Sequence, residues 1–220
     1  MKFCLALFFF SLAQLGFAGE EAPTDDRQRN AQVFVVHGYM ASPEHHWFPW
    51  LQKTLASDGV HVAVLPMPQS DNPQAGAWDA VLRERIGEVD ENTYFVAHSL
   101  GCITVLKYLS GLPEGKRIGG VILVSGFSEP LERLPKLNEF VEERYAPDKI
   151  IRMTNHRFVI AARDDKIVPY ELSRSLSREL QATLITLDEG GHFMESDGFT
   201  ELPVVHETLS EVFSRRAVGR

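Results

Sequence analysis

Residues 94–106 have the sequence YFVAHSLGCITVL, and this stretch decides the fold. An apolar run of strand-forming residues leads into a short His-Ser-Leu-Gly turn, and a helix-forming run follows at once. Ser99 stands at the corner, with the small residues Ala97 and Gly101 two positions away on either side. Small side chains are needed there because a sharp turn brings the backbones of strand and helix close together. The stretch therefore predicts a βα unit that displays a serine hydroxyl at the end of a buried strand.

A plainer structure also fits these residues, namely an ordinary turn in which Ser99 only caps the helix that follows. Ala97 stands where the serine-displaying turn commonly has glycine. Alanine relaxes that pattern only mildly, because its methyl group is the smallest side chain after glycine. The pentapeptide alone leaves both interpretations open, and the order of residues along the rest of the chain has to decide between them.

Short apolar runs alternate with longer amphipathic stretches along most of the chain. Each run is nearly continuous in Val, Ile, Leu and Phe, which is typical of parallel strands buried on both faces. The six runs are QVFVVHG, VHVAVLP, TYFVAHS, GGVILVSG, HRFVIAARDD and ATLITLDEG. Strand and helix taking turns predicts an α/β fold with a mostly parallel sheet of about six strands and helices on both faces.

Residues capable of chemistry follow four of these runs. In an open parallel sheet, ligands meet the carboxyl ends of the strands. The residues there are His37-Gly38-Tyr39 after the first strand, Ser99 after the third, Asp164-Asp165 after the fifth and Gly190-Gly191-His192 after the sixth. The sequence therefore predicts that a hydroxyl, a carboxylate and an imidazole meet at one edge of the sheet.

The order serine, acid, histidine is that of the α/β-hydrolase triad. From about Gln32 to Phe213, through HSLG, DDKIVP and GGHF, the chain resembles the α/β-hydrolase superfamily. It most closely resembles the small single-domain serine hydrolases that include the human retinoblastoma-binding serine hydrolase and bacterial relatives. In that family the acid stands three residues before the Val of a D-x-x-V-P pattern, which selects Asp165 over Asp164.

The resemblance implies a serine hydrolase that works through an acyl-enzyme. Ser99 needs a neighbouring base to become a nucleophile, and His192 is the candidate. Asp165 would hold the imidazole in the productive tautomer. The backbone N–H groups of Leu100 and Tyr39 are the expected donors of the oxyanion hole.

Three aromatic side chains are candidates for the substrate pocket, and each has a packing role as its alternative. His37 either lines the pocket or braces the oxyanion loop, and His98 either forms a substrate wall or packs beside the turn. Trp47, in the HHWFPW run, either lines the pocket or packs a helix onto the sheet. Asp164 and Asp188 are the fallback acids, for which we expect hydrogen bonds within loops.

The connection between the fourth and fifth strands, residues 127–156, is longer than usual. It contains a helix-like stretch from about Leu131 to Tyr145, which predicts a small cap over the site. A cap of this size leaves the pocket fairly open. We therefore expect small or medium esters, thioesters or amides as substrates rather than long lipids.

The first 18 residues have the layout of a secretory signal peptide, with Lys2, a short apolar run and small residues before Gly19. The apolar run is shorter than the roughly 20 residues of a membrane span, although an uncleaved anchor is the alternative. We expect an exported protein, periplasmic or secreted, with no stable membrane span after processing. Residues 19–30 are predicted to be a flexible leader, 31–215 a single domain and 216–220 a tail.

Composition excludes several classes of partner. A net charge of -8 argues against nucleic acid, whose binding depends on Lys and Arg. Cys102 has no cysteine partner after processing, and no two histidines have the i, i+4 spacing of a helical zinc site, so we expect no metal and no cofactor. Cys102 is predicted to be a small buried hydrophobe. The expected partner is a small ester or amide, and no sequence pattern indicates an oligomeric state.

Two alternatives to an esterase stay open at this point. The first is a catalytically silent binding protein that keeps the fold, because fold alone does not establish activity. The second is an aminopeptidase or amidase, which would use the same triad on a different leaving group.

Overall fold

The computed structural model of the chain describes residues 30–218, with side chains described as far as residue 215. The predicted signal peptide and nearly all of the predicted leader lie outside these residues, and so do the last two residues of the predicted tail. The backbone of the final helix continues to Val218. The first part of the predicted tail is therefore helical.

The six predicted strands form one sheet in which every neighbouring pair is parallel. Its order is β2-β1-β3-β4-β5-β6, so β3 and β4 are central. The strands are β1 (Gln32–Val36), β2 (His61–Leu65), β3 (Thr93–His98), β4 (Gly120–Val124), β5 (Arg157–Ala162) and β6 (Thr183–Leu187). The predicted α/β architecture is confirmed. All six strands have their carboxyl ends at the same edge.

Alternation along each strand divides the apolar residues between two hydrophobic clusters, one on each face of the sheet. Phe34 and Val36 of β1 belong to one cluster, whereas Val33 and Val35 belong to the other. Because both faces are covered, every second residue cannot be polar, and this explains why the strands are continuous apolar runs.

Seven α-helices lie within the described part of the chain. They are α1 (Phe48–Ser57), α2 (Ala75–Arg85), α3 (Leu100–Gly111), α4 (Glu139–Glu142), α5 (Pro147–Met153), α6 (Tyr170–Glu179) and α7 (Pro203–Val218). Helices α1 and α7 cover one face of the sheet, and α2, α3 and α6 cover the other. None of the helices in the described range is long and apolar enough to cross a membrane.

The prediction of one helix from Leu131 to Tyr145 is wrong. This part of the chain forms a 3-10 turn at Pro135–Leu137 and then the four-residue helix α4. Pro135 has no N–H group for a helix interior. The Asn138 side chain also accepts a hydrogen bond from the Leu131 N–H at 3.0 Å, which folds the segment back on itself.

The connection nevertheless lies at the carboxyl edge of the sheet, as a small cap would. The Lys136 ammonium group lies 4.4 Å from the centre of the Tyr39 ring. The Arg133 guanidinium donates to the Lys166 carbonyl oxygen at 3.3 Å. The cap segment, residues 127–146, therefore contacts the loops that follow both β1 and β5.

Candidate active site

Ser99 occupies the sharp turn between β3 and α3, with φ 54° and ψ -121°. A positive φ is rare for serine, and such strain is typical of positions where a side chain is displayed for function. Helix α3 starts directly against the backbone of β1. A Cβ atom on Gly101 would lie only 2.4 Å from the Val36 carbonyl oxygen, which explains the small residue required there.

Three side chains from three loops form one hydrogen-bonded line. The Nε2 atom of His192 lies 2.9 Å from the Ser99 hydroxyl oxygen. The Nδ1 atom of His192 lies 2.8 Å from Oδ2 of Asp165. A carboxylate can only accept, so Nδ1 carries the proton and Nε2 is left to accept from the hydroxyl. This arrangement can draw a proton from Ser99 onto an imidazole whose charge the carboxylate would balance.

The Asp165 carboxylate accepts four hydrogen bonds. Its Oδ1 atom accepts from the backbone N–H groups of Ile167 and Val168, at 2.8 Å and 2.9 Å. Its Oδ2 atom accepts from His192 and also from the Ser125 hydroxyl at 2.9 Å. The four donors fix the plane of the carboxylate and aim Oδ2 at the imidazole.

Sequence reasoning missed Ser125. This residue follows β4, is fully buried and has a φ of 47°. The run GGVILVSG ends in a serine at the same sheet edge as the other site residues. That position was the signal that could have identified it.

The loop that carries His192 is held by two other carboxylates. Oδ1 of Asp164 accepts from the N–H groups of Gly190 and Gly191, at 2.9 Å and 2.8 Å. Oδ2 of Asp197 accepts from the His192 N–H at 2.9 Å. The expected loop hydrogen bonds of Asp164 are thus present. A Cβ atom on Gly191 would lie 2.7 Å from Cγ of Asp197, so the close approach needs glycine.

Asp188, the other fallback acid, points away from the site. Its carboxylate forms an exposed ion pair with Arg163 at 3.1 Å, instead of the loop hydrogen bonds that we expected. Asp188 therefore belongs to the surface.

The loop after β1 lies against Ser99. A Cβ atom on Gly38 would lie 2.8 Å from the Ser99 Cβ atom, which brings the Gly38-Tyr39 backbone beside the hydroxyl. Leu100 is the first residue of α3, so its N–H has no carbonyl partner within the helix. Both expected oxyanion donors therefore belong to backbone next to the Ser99 side chain.

His37 braces this loop from behind. Its Nε2 atom accepts from the Met67 N–H at 3.0 Å, so the proton is on Nδ1, which donates to the Gly38 carbonyl oxygen at 2.9 Å. Burial lowers the pKa of His37, which favours the neutral ring that these two bonds require.

The three pocket candidates are all buried, with exposed fractions of 1% for His37, 0% for Trp47 and 2% for His98. Trp47 packs edge-on against Phe48 and His98. An aromatic ring with protein on all sides has no surface to offer a substrate, so we assign supporting roles to these residues. The packing alternatives considered for them describe their positions better than a pocket does.

A cavity of about 610 Å³ lies beside the loop of Asp165, between that loop and the start of the cap segment. Its walls combine apolar and charged residues: Pro130, Leu131, Glu132, Arg133, Asp165, Lys166, Ile167, Pro169, Glu171 and Leu172. It is an opening next to the hydrogen-bonded line, at the edge where the sheet topology predicts ligands.

Cys102 is buried beneath the turn, as predicted. Its thiol donates to the Ala97 carbonyl oxygen at 3.3 Å, and burial raises its pKa, so the thiol stays protonated and inert. Within residues 30–218, no group of three or more His, Cys, Asp or Glu side chains is arranged to hold a metal ion.

A sequence profile of the serine hydrolase family matches residues 33–211. The chain belongs to the serine hydrolase family. The family membership that HSLG, DDKIVP and GGHF predicted is therefore confirmed. The chain is 45% identical over 184 residues to YdeN of Bacillus subtilis (strain 168), a match that covers 84% of this chain and 97% of YdeN. It is 23% identical over 168 residues to serine hydrolase RBBP9 of Rattus norvegicus, covering 76% of this chain and 88% of that protein.

Solved structures give the same result for the fold. The crystal structure of the B. subtilis ydeN gene product superposes with a TM-score of 0.82 at 44% identity, covering 84% of this chain and 99% of that one. Est1E of Butyrivibrio proteoclasticus, solved with ferulic acid bound, has a TM-score of 0.62 at 17% identity and shares the fold. That match covers 84% of this chain and 88% of Est1E. The α/β-hydrolase fold is confirmed.

Proposed function

We propose that this serine hydrolase cleaves small or medium carboxylic esters, with Ser99 as nucleophile, His192 as general base and Asp165 as its orienting acid. One observation supports these roles above all. The hydroxyl, the imidazole and the carboxylate are joined by hydrogen bonds of 2.9 Å and 2.8 Å, in the order that proton transfer needs.

The proposed reaction has two halves. In the first, His192 takes the proton of Ser99 while the serine oxygen attacks the ester carbonyl carbon. The oxygen of the tetrahedral intermediate accepts from the N–H groups of Leu100 and Tyr39, each worth on the order of 3 kcal/mol. His192 then gives its proton to the leaving alcohol, and the C–O bond breaks to leave an acyl-enzyme.

Water completes the cycle in the second half. His192 takes a proton from water as the water oxygen attacks the acyl carbon, and a second tetrahedral intermediate forms in the same oxyanion hole. His192 returns the proton to the Ser99 oxygen, and the carboxylic acid leaves. All bonds that form or break involve the serine oxygen, the imidazole and water.

Substrate size follows from the cap segment. Its described contacts with the site are at the rim, through Lys136 over Tyr39 and Arg133 on the loop of Asp165. The segment is short and broken into single turns, so it offers no long enclosed groove for an extended acyl chain. This supports small or medium acyl groups over long lipids.

A fluorophosphonate probe tests the nucleophile directly. We expect one probe per wild-type chain by intact mass, and no labelling of Ser99→Ala or, over the same time, of His192→Ala. Asp188→Asn is a matched control that removes an exposed carboxylate and should be labelled like wild type. A folded wild-type protein that takes up no probe would favour a binding protein without catalysis.

A substrate series tests the ester class. We expect p-nitrophenyl acetate and butyrate to be hydrolysed with a higher kcat/KM than the palmitate ester, and faster than aminoacyl anilides. A preference for the anilides would instead identify an amidase or aminopeptidase.

A further inference from the structure

The carbonyl group of His192 is held by the residue next to the nucleophile. Nε2 of His98 lies 2.8 Å from the His192 carbonyl oxygen, and the contact is buried. A carbonyl oxygen can only accept, so Nε2 of His98 carries the proton and donates it. The main-chain N–H of His192 is held from the other side by Asp197 at 2.9 Å. Both polar groups of this one peptide residue are thus bonded to side chains.

The His98 ring is clamped in place by its neighbours. It lies 4.9 Å from the His192 ring, measured between centroids, and contacts the rings of Trp47, Phe48 and His46. Residue 98 is the last of β3, a central strand of the sheet. A donor on this ring therefore has a position as well defined as the core itself.

The other ring nitrogen shows why the ring is an imidazole. Nδ1 of His98 is buried and has no hydrogen-bond partner among residues 30–218. A buried acceptor without a partner costs stability, and phenylalanine would fill a similar space without that cost. The bond from Nε2 is the feature that histidine adds at this position.

The surroundings keep the ring neutral. Burial lowers the pKa of His98 well below its ordinary value, and the nearby titratable rings of His192, His46 and His37 act in the same direction. A neutral ring has a single N–H, and the geometry places it on Nε2. The donor to the His192 carbonyl is therefore constant across the neutral pH range.

We propose that His98 is a positioning residue for the reaction, because its Nε2–H group anchors the main chain of His192 to the strand that carries Ser99. One strand end would then set the positions of both the nucleophile and the base. This rests on the proposed function, in which His192 is the general base. Losing the anchor lets the imidazole shift relative to the hydroxyl, and a shift near 1 Å can cost about 100-fold in rate.

Two substitutions separate the hydrogen bond from the packing. His98→Phe keeps an aromatic ring without a donor, and His98→Gln places an amide N–H close to the original Nε2 position. With p-nitrophenyl acetate we expect kcat of His98→Phe to fall by up to about 100-fold, with KM nearly unchanged. We expect His98→Gln to recover most of that loss. His61→Gln, which changes an exposed histidine on β2, should behave like wild type.

The outcomes distinguish this proposal from the proposed function. If wild type neither hydrolyses esters nor takes up the fluorophosphonate, both fail. If wild type is active, His192→Ala is inactive and folded His98→Phe keeps full kcat, then only the role of His98 fails. Equal losses in His98→Phe and His98→Gln would also overturn it, because the amide donor should have helped.

A measurement on the unaltered protein covers the case in which both variants fail to fold. Long-range ¹⁵N–¹H NMR spectra of histidine-labelled protein distinguish the two neutral tautomers and the protonated ring. We expect His98 to have the proton on Nε2 at pH 7. A proton on Nδ1, or a protonated ring, would exclude donation to the His192 carbonyl in the form described and overturn the proposal.

Discussion

Asp165 shows how a single carboxylate is aimed. Two backbone N–H groups hold its Oδ1 atom, while the Ser125 hydroxyl and the His192 ring share Oδ2. Ser125 adopts a strained positive φ and is completely buried, and its hydroxyl reaches the carboxylate. Such strain persists only where the surrounding structure enforces it. We therefore regard Ser125 as part of the mechanism that orients the acid.

Substitutions at Asp165 and Ser125 should reduce turnover to different extents. We expect Asp165→Asn to lower kcat for p-nitrophenyl acetate by about 10⁴-fold, because an amide favours the wrong tautomer of the histidine. Ser125→Ala removes one of four hydrogen bonds and should lower kcat by about 10-fold, the equivalent of roughly 1.4 kcal/mol. Asp164→Asn, whose oxygen can still accept from Gly190 and Gly191, serves as the neighbouring control. Full kcat in Asp165→Asn would exclude the proposed acid.

The residues that sequence could predict are those with a characteristic order and spacing. Ser99, Asp165 and His192 lie at the ends of recognisable strands, and the structure brings them together. Ser125 and Asp197 have no such pattern, since a serine after a strand or an aspartate in a turn is common. Their roles depend on which loops meet in three dimensions, which only the folded arrangement specifies.

At the level of elements, the crossing of α3 over the end of β1 is the tightest contact of the site. A Cβ atom on Gly101 would lie 2.4 Å from the Val36 carbonyl oxygen and 2.7 Å from that of His37. Both neighbours are backbone atoms, which cannot rotate away as a side chain could. The turn that presents Ser99 therefore depends on the absence of a side chain one turn into the helix.

Gly101→Ala should consequently destabilise the protein by about 1–3 kcal/mol, because strand and helix must move apart. Gly76→Ala is the matched control: this glycine lies in helix α2, and its added methyl group would meet nothing within 4 Å. It should be neutral or slightly stabilising, since alanine is the better helix former. Urea denaturation followed by circular dichroism measures both. Equal stabilities for the two variants would contradict the crossing argument.

Elements were predictable where local pattern and tertiary environment agree. The six strands are apolar because both faces of the sheet are covered, so their composition alone identifies them. The segment from Leu131 to Tyr145 has helix-forming residues but folds into single turns. Pro135 and the bond from the Leu131 N–H to Asn138 override its helical tendency, and buried Leu137 and Phe140 anchor those turns to the core.

For the whole molecule, the number of buried neutral histidines has a consequence for stability. Burial lowers the pKa of His37, His46 and His98 below the ordinary value of 6.5. Below that pH the unfolded chain binds protons at these positions that the folded chain resists binding. The free energy of unfolding therefore rises with pH up to about 6.5 and falls as the pH drops below this value.

We expect urea midpoints to decrease between pH 7 and pH 5, by an amount to which each such histidine contributes up to about 1.4 kcal/mol per pH unit. His98→Gln removes one of these groups and should lose less stability over the same interval than wild type does. His61→Gln, at an exposed position, should follow the wild-type curve. Parallel curves for wild type and His98→Gln would show that His98 does not contribute.

The thiol under the Ser99 turn also provides a probe of folding. Cys102 is shielded by core residues and its pKa is raised, so a maleimide or disulfide reagent can reach it only when the central sheet opens. In a Cys4→Ser background this is the chain's remaining cysteine. The rate at which it is alkylated then reports how often the molecule unfolds, without an added fluorophore.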